Sequence, residues 1–123
     1  IEKIIIEHAV DSSQISLIGF SQGSMLATYY ALQKNFNFHS IISLSGSLPK
    51  EILNDLKIPD VKSKFLIFHG KLDDVVPYNR AVETNSFLDL KEISCKMILD
   101  DNCAHSISPI ALDEINKFYE HWI

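Results

Sequence analysis

Apolar residues fall into short continuous runs separated by amphipathic stretches, and that alternation sets the expected elements. Ile1, Ile4, Ile5 and Ala9 recur at helical spacing, with Glu2, Lys3 and Glu7 on other faces. This predicts a helix over Ile1–Val10, ended by Asp11-Ser12-Ser13. Ile15–Phe20 is apolar on both faces apart from Ser16, as in a buried parallel strand. Gln22 to about Asn35 predicts a helix with Met25, Leu26, Tyr29 and Leu32 turned inward. Ser40–Leu44 is a second strand, closed by Ser45-Gly46-Ser47. Leu48–Ser63, interrupted by Pro49 and Pro59, is expected to run over one face, with a short helical pattern at Glu51–Leu56. Strand Lys64–His69, a loop from Gly70 to Pro77 and a helix from Tyr78 to about Glu92 come next. Strand Ser94–Leu99 and the loop Asp100–Ile107 lead to a last helix, with Ser108 as cap and Pro109 at its first position. Strands alternating with helices imply βαβ crossovers. The expected fold class is α/β, a parallel sheet of about four strands with helices on both faces.

One junction in this pattern carries chemistry. Ile15–Phe20 runs into Ser21 and then directly into a helix, and Gly19-Phe20-Ser21-Gln22-Gly23 reads as a G-x-S-x-G nucleophile elbow. The turn must lift the serine hydroxyl clear of the sheet, so a strained backbone is expected at Ser21. Side chains two positions to either side would collide there, which is the reading given to Gly19 and Gly23. Gln22 opens the helix, and its backbone N–H is placed to face an oxyanion. A serine hydroxyl is a weak nucleophile that needs a base, and the base needs a carboxylate to orient it. Asp73 and Asp74 lie in the loop after the third strand, and His105 lies in the loop after the fourth. The order Ser, Asp, His is that of α/β-hydrolases, with each group beyond the carboxyl end of a strand.

Gly-Phe-Ser-Gln-Gly, then His69-Gly70-Lys71-Leu72-Asp73-Asp74-Val75-Val76-Pro77, then His105-Ser106, closely resembles the acyl-protein thioesterase and carboxylesterase family. This is the phospholipase/carboxylesterase group of α/β-hydrolases, which cleave carboxylic esters and thioesters. The resemblance runs over the whole chain. It implies Ser21 as nucleophile, His105 as base and Asp73 as orienting carboxylate, Asp73 rather than Asp74 because the family's carboxylate falls at the fifth position from the His. It implies an ester or thioester substrate and neither a metal nor an organic cofactor. Ala104 stands where the family usually has glycine before the histidine, and a methyl group fits there only if φ is negative. The family's domain begins with further strands and a loop that gives a second oxyanion N–H, and nothing in this sequence resembles them. The expectation is therefore a partial α/β-hydrolase fold, the C-terminal part of that domain. Strand Ile15–Phe20 would then present an exposed apolar edge, a surface for self-association. Two other readings are a non-catalytic remnant or interaction module, and a different α/β-hydrolase such as a peptidase or a dienelactone hydrolase. Ser rather than Cys as nucleophile counts against the last.

Composition narrows the remaining choices. The 123 residues suffice for one domain with a core, and 46% hydrophobic with 22% charged residues is ordinary for a globular protein. A net charge of −5 with scattered basic residues argues against nucleic acid as a partner. No apolar run reaches transmembrane length. The two cysteines, Cys95 and Cys103, have neither metal-ligand spacing nor a disulfide framework, which makes a reducing, cytoplasmic setting the default. His69 is read as structural, and His8, His39 and His121 as surface or helix residues. Cys103 is read as incidental, and Asp74, Asp100 and Asp101 as loop carboxylates without metal partners. Ser45-Gly46-Ser47 is read as a turn near the site.

Overall fold

The computed structural model describes residues 1–33, 37–58 and 60–120. In chain order the elements are α1 (Glu2–His8), a short 3-10 helix (Ser12–Gln14), β1 (Ser16–Phe20) and α2 (Gln22–Gln33). Then come β2 (Ser40–Leu44), α3 (Lys50–Asp55), β3 (Lys64–Gly70), α4 (Asn79–Leu90), β4 (Cys95–Asp100) and α5 (Pro109–Glu120). These match the expected elements to within a residue or two at most ends. Asn35, Pro59 and His121 lie outside the described residues. Asp11 accepts from the Ser13 N–H while Gln14 accepts from the Asp11 N–H, which closes the short helix before β1. Ser108 accepts from the Ala111 N–H at 3.4 Å and caps α5, with Pro109 as its first residue.

The four strands form one parallel sheet in the order β1-β2-β3-β4. Register runs Gly19↔Ser43↔Ile67↔Met97, so the loops after all four strands emerge along the same edge. Period-two alternation sends the two faces of the central strands to different cores. Ile41, Phe65 and Ile67 pack with Ala31 and Leu32 of α2, Leu53 of α3 and Ala81 and Leu88 of α4. Ile42, Leu44, Leu66 and Phe68 pack with Ala111 of α5. Helices therefore cover both faces, as expected.

Two expectations about orientation are corrected. In α2 the buried residues are Ser24, Thr28, Ala31 and Leu32, while Met25 is half-buried and Leu26 (69% exposed) and Tyr29 face outward. The stripe i, i+4, i+7, i+8 is present and ends on Leu32 as expected, but small residues fill its first three positions, where the helix starts close against the sheet. β1 is not buried on both faces either. It is an edge strand, with Ile18 57% exposed and Phe20 also in solvent. The apolar positions of α1 are uncovered in the same way, since that helix buries none of its residues.

Candidate active site

Each turn at the carboxyl edge of the sheet delivers one group. At the end of β1, Ser21 has φ 56°, the left-handed backbone expected of an elbow. Its N–H bonds the Leu44 carbonyl at 2.9 Å and its carbonyl accepts from Met25 of α2, so neighbouring elements hold the strained residue in place. Gly19 is required for room: a Cβ there would lie 2.4 Å from the Gly23 backbone. Gly23 is not, since a Cβ there would meet nothing within 4 Å. The reading that both glycines avoid a collision thus holds for Gly19 alone. Gly23 faces the open groove beside β1 that Ile18 and Leu26 also line.

The loop after β3 carries Asp73, which is buried. Its Oδ1 accepts the backbone N–H groups of Val75 and Val76 at 2.9 and 2.8 Å. Burial by itself would raise the carboxyl, but a hydrogen bond from His105 and those two N–H groups outweigh it and hold Asp73 below the usual carboxylate range. His69, fully buried at the end of β3, donates from Nε2 to the Val76 carbonyl at 2.7 Å, and the same nitrogen lies 3.2 Å from Asp73 Oδ2. Its structural reading is thus given a specific content: it closes the Asp73 loop. Asp74 is exposed.

The loop after β4 brings His105 between the other two. Nδ1 lies 2.8 Å from Asp73 Oδ2, and Nε2 lies 3.0 Å from Ser21 Oγ. A carboxylate only accepts, so Nδ1 carries the proton and donates it to Asp73. That leaves the Nε2 lone pair to accept from the Ser21 hydroxyl. The Phe20 ring packs on the imidazole, centroids 5.1 Å apart. Ala104 is not among the residues with positive φ, so its methyl group is accommodated where the family usually has glycine. Ser21, Asp73 and His105, the three residues singled out in the sequence, follow β1, β3 and β4, and the fold brings them together. Gln22 begins α2, where the backbone N–H groups of a first turn have no partner inside the helix.

Residues 1–123 match the phospholipase/carboxylesterase family. The chain belongs to that family. Acyl-protein thioesterase 1 of Saccharomyces cerevisiae is 30% identical over 125 residues, covering 96% of this chain and 55% of that protein. Acyl-protein thioesterase 1 of Emericella nidulans is 26% identical over 124 residues, covering 95% and 51%. The chain spans about half the length of these relatives. Among solved structures, esterase PE8 superposes with a TM-score of 0.88 at 26% identity, over 99% of this chain and 56% of that one. The Bacillus cereus carboxylesterase superposes at 0.85 and 14% identity, over 99% and 56%. These likenesses establish the α/β-hydrolase fold.

Burial, helped by the Asp89 charge, pushes the Cys95 thiol up to about 12, which leaves it an inert thiol. Among the described residues no group of three or more His, Cys, Asp or Glu could hold a metal ion. No helix among them is long and apolar enough to cross a membrane. The turn Ser45-Gly46-Ser47 after β2, read from the sequence as lying near the site, does so: a Cβ on Gly46 would lie 2.2 Å from the Ser21 carbonyl oxygen, so this turn is pressed directly against the elbow. What the sequence reading did not supply is a role for Ser43, Ser45 and Ser47, three alternating serines running from β2 into that turn, all buried.

Proposed function

We propose that this chain carries the active centre of a serine hydrolase that cleaves carboxylic esters or thioesters through an acyl-enzyme. Ser21 Oγ bonds the carbonyl carbon while its proton passes to His105 Nε2. Asp73 keeps the imidazole in the required tautomer and stabilises the imidazolium that forms. Collapse of the tetrahedral intermediate expels the alcohol or thiol, which takes its proton from Nε2. Water then attacks the Ser21 ester with His105 again as base, and the carboxylic acid leaves. The Gln22 N–H faces the oxyanion. A second donor, worth about 10²–10³ in rate, would come from a part of the domain outside these residues. This is consistent with a chain that supplies the C-terminal portion of the domain.

The observation that carries this reading is the unbroken relay Ser21–His105–Asp73, with links of 3.0 and 2.8 Å assembled from three separate strand ends. The names of the relatives favour acyl thioesters and esters as the substrate class. Two free thiols, Cys95 and Cys103, suit a reducing, cytoplasmic setting. On the same reading, the uncovered β1 edge is a surface for pairing with another segment or a second copy. The test is covalent labelling with a fluorophosphonate, with p-nitrophenyl ester hydrolysis alongside. Labelling at Ser21, with both signals removed by Ser21→Ala, is the expected result. Folded protein that neither labels nor hydrolyses would instead favour a non-catalytic module.

A further inference from the structure

His105 sits in a loop with little regular structure of its own, yet its ring must stay within hydrogen-bond reach of Ser21. The flank before it is fixed on the turn that holds Asp73. Leu72 N–H bonds the Cys103 carbonyl at 2.9 Å, and Gly70 packs so closely that a Cβ there would lie 2.1 Å from the same oxygen. The flank after it is fixed elsewhere. The Ser106 carbonyl accepts the Ser45 hydroxyl at 3.0 Å, across 61 residues of sequence. The Cys103 thiol, a weak donor at 3.5 Å, is the other polar group on that oxygen.

Ser45 is itself held by its neighbours. It is fully buried, its N–H bonds the Phe68 carbonyl at 3.0 Å, and its backbone is left-handed at φ 55°. The next residue, Gly46, abuts the Ser21 carbonyl with no room for a Cβ. The Gly46 carbonyl is held in turn by the hydroxyls of Ser24 and Ser43, at 2.6 and 2.8 Å. Those two hydroxyls also bond each other, so one proton goes to the carbonyl and one lies between them. The backbone that supports Ser21 therefore also carries the hydroxyl that grips the residue after His105.

We propose that Ser45 is a positioning residue that sets the separation between the His105 imidazole and the Ser21 hydroxyl by tying the Ser106 carbonyl to the turn beneath the elbow. This rests on the reading of Ser21 and His105 as nucleophile and base. A serine kept in left-handed backbone, where glycine would be favoured, is consistent with a requirement for its hydroxyl. That conformation supplies the informative variant. Ser45→Gly removes the hydroxyl while relieving backbone strain, so it separates positioning from folding.

In the complete protein, Ser45→Gly is expected to lower kcat for a p-nitrophenyl ester roughly ten- to a hundredfold. KM should stay close to wild type and the unfolding temperature at or above it. Ser45→Cys, which keeps the shape and a weak donor, should recover part of the loss. Ser45→Ala, which lacks the hydroxyl but keeps the Cβ, provides the same comparison if the glycine variant does not fold. Wild-type kcat in folded Ser45→Gly or folded Ser45→Ala would overturn the proposal. A second readout does not need turnover. The His105 Nδ1–H proton resonance should broaden through faster solvent exchange in Ser45→Gly, and an unchanged line would also overturn the proposal. Failure of the underlying reading shows differently, as wild-type protein that takes no fluorophosphonate at Ser21 whatever stands at position 45.

Discussion

The carboxyl edge of the sheet and the flank formed by β1 and α1 are built on opposite principles. At the carboxyl edge, serines, a histidine and a carboxylate are buried, and turns far apart in sequence are joined by hydrogen bonds and by backbone contacts with no spare room. Along the flank, Ile4, Ile6, Ile18 and Leu26 stand in solvent. Full burial of such a side chain is worth about 1.5–3 kcal/mol, and here little of that is realised because no described element lies over them. Hydrophobic content alone therefore does not locate the closely packed part of this fold. Backbone clearance is tightest where polar groups have been given specific partners, and that is also where the candidate chemistry sits.

Asp73 is where this contrast can be broken most severely. Asp73→Asn should lower kcat for ester hydrolysis by about 10⁴, because the amide can hold the imidazole in the tautomer that cannot accept from Ser21. The same carboxylate links the site to stability. Its proton is bound more weakly in the folded chain than in the unfolded one, since its carboxyl is held below the usual range. Its stabilising contribution is complete above the unfolded value of about 3.9 and is lost as pH falls through the lower folded value. Urea unfolding of wild type should become steeply easier with acidification in that window. Asp73→Asn should flatten the dependence, and an equally steep variant would show that other carboxylates govern it.

Glycine sharpens the contrast with a smaller effect. No described glycine has positive φ, whereas Ser21 and Ser45 do. Gly19, Gly46 and Gly70 are thus used for clearance rather than for backbone freedom, and Gly23 for neither. Gly46→Ala forces a methyl group onto the Ser21 carbonyl and should destabilise by about 1–3 kcal/mol, as overpacking does. Gly23→Ala puts its methyl group in open space within a helix and should stabilise by about 0.5–1 kcal/mol. Thermal unfolding of the two variants should shift in opposite directions. A shared direction would mean that clearance at the elbow is not what distinguishes these positions.

The same physics separates what the sequence revealed from what it hid. Strand positions, helix positions and the loops holding Ser21, Asp73 and His105 were legible because each depends on local pattern, an apolar run or a motif of adjacent residues. The inward face of α2 was not. Leu26 and Tyr29 look like core residues at helical spacing, yet Ser24 and Thr28 take those places because α2 starts hard against the sheet. The contact of Gly46 with Ser21 and the bond from Ser45 to Ser106 are likewise distances between elements remote in sequence. Periodicity carries no information about them. Three alternating serines at the end of β2 were the visible trace of that packing, and their meaning depended on what they face.

The weakest expected effect on folding comes from the flank, and it tests the contrast from the other side. Ile18 projects from an edge strand into solvent, so Ile18→Lys removes an apolar surface without taking anything from either core. Its unfolding free energy should stay within about 0.5 kcal/mol of wild type. Its association should not stay unchanged. An edge strand with apolar side chains is a template for another strand, and a lysine placed there opposes pairing. Sedimentation of the isolated chain across a concentration series should show association in wild type and less of it in Ile18→Lys, with ester hydrolysis per folded molecule unaltered. A large loss of stability on substitution would mean that β1 is covered in solution by another segment or a second copy, and the contrast between a closely packed edge and an uncovered flank would fail.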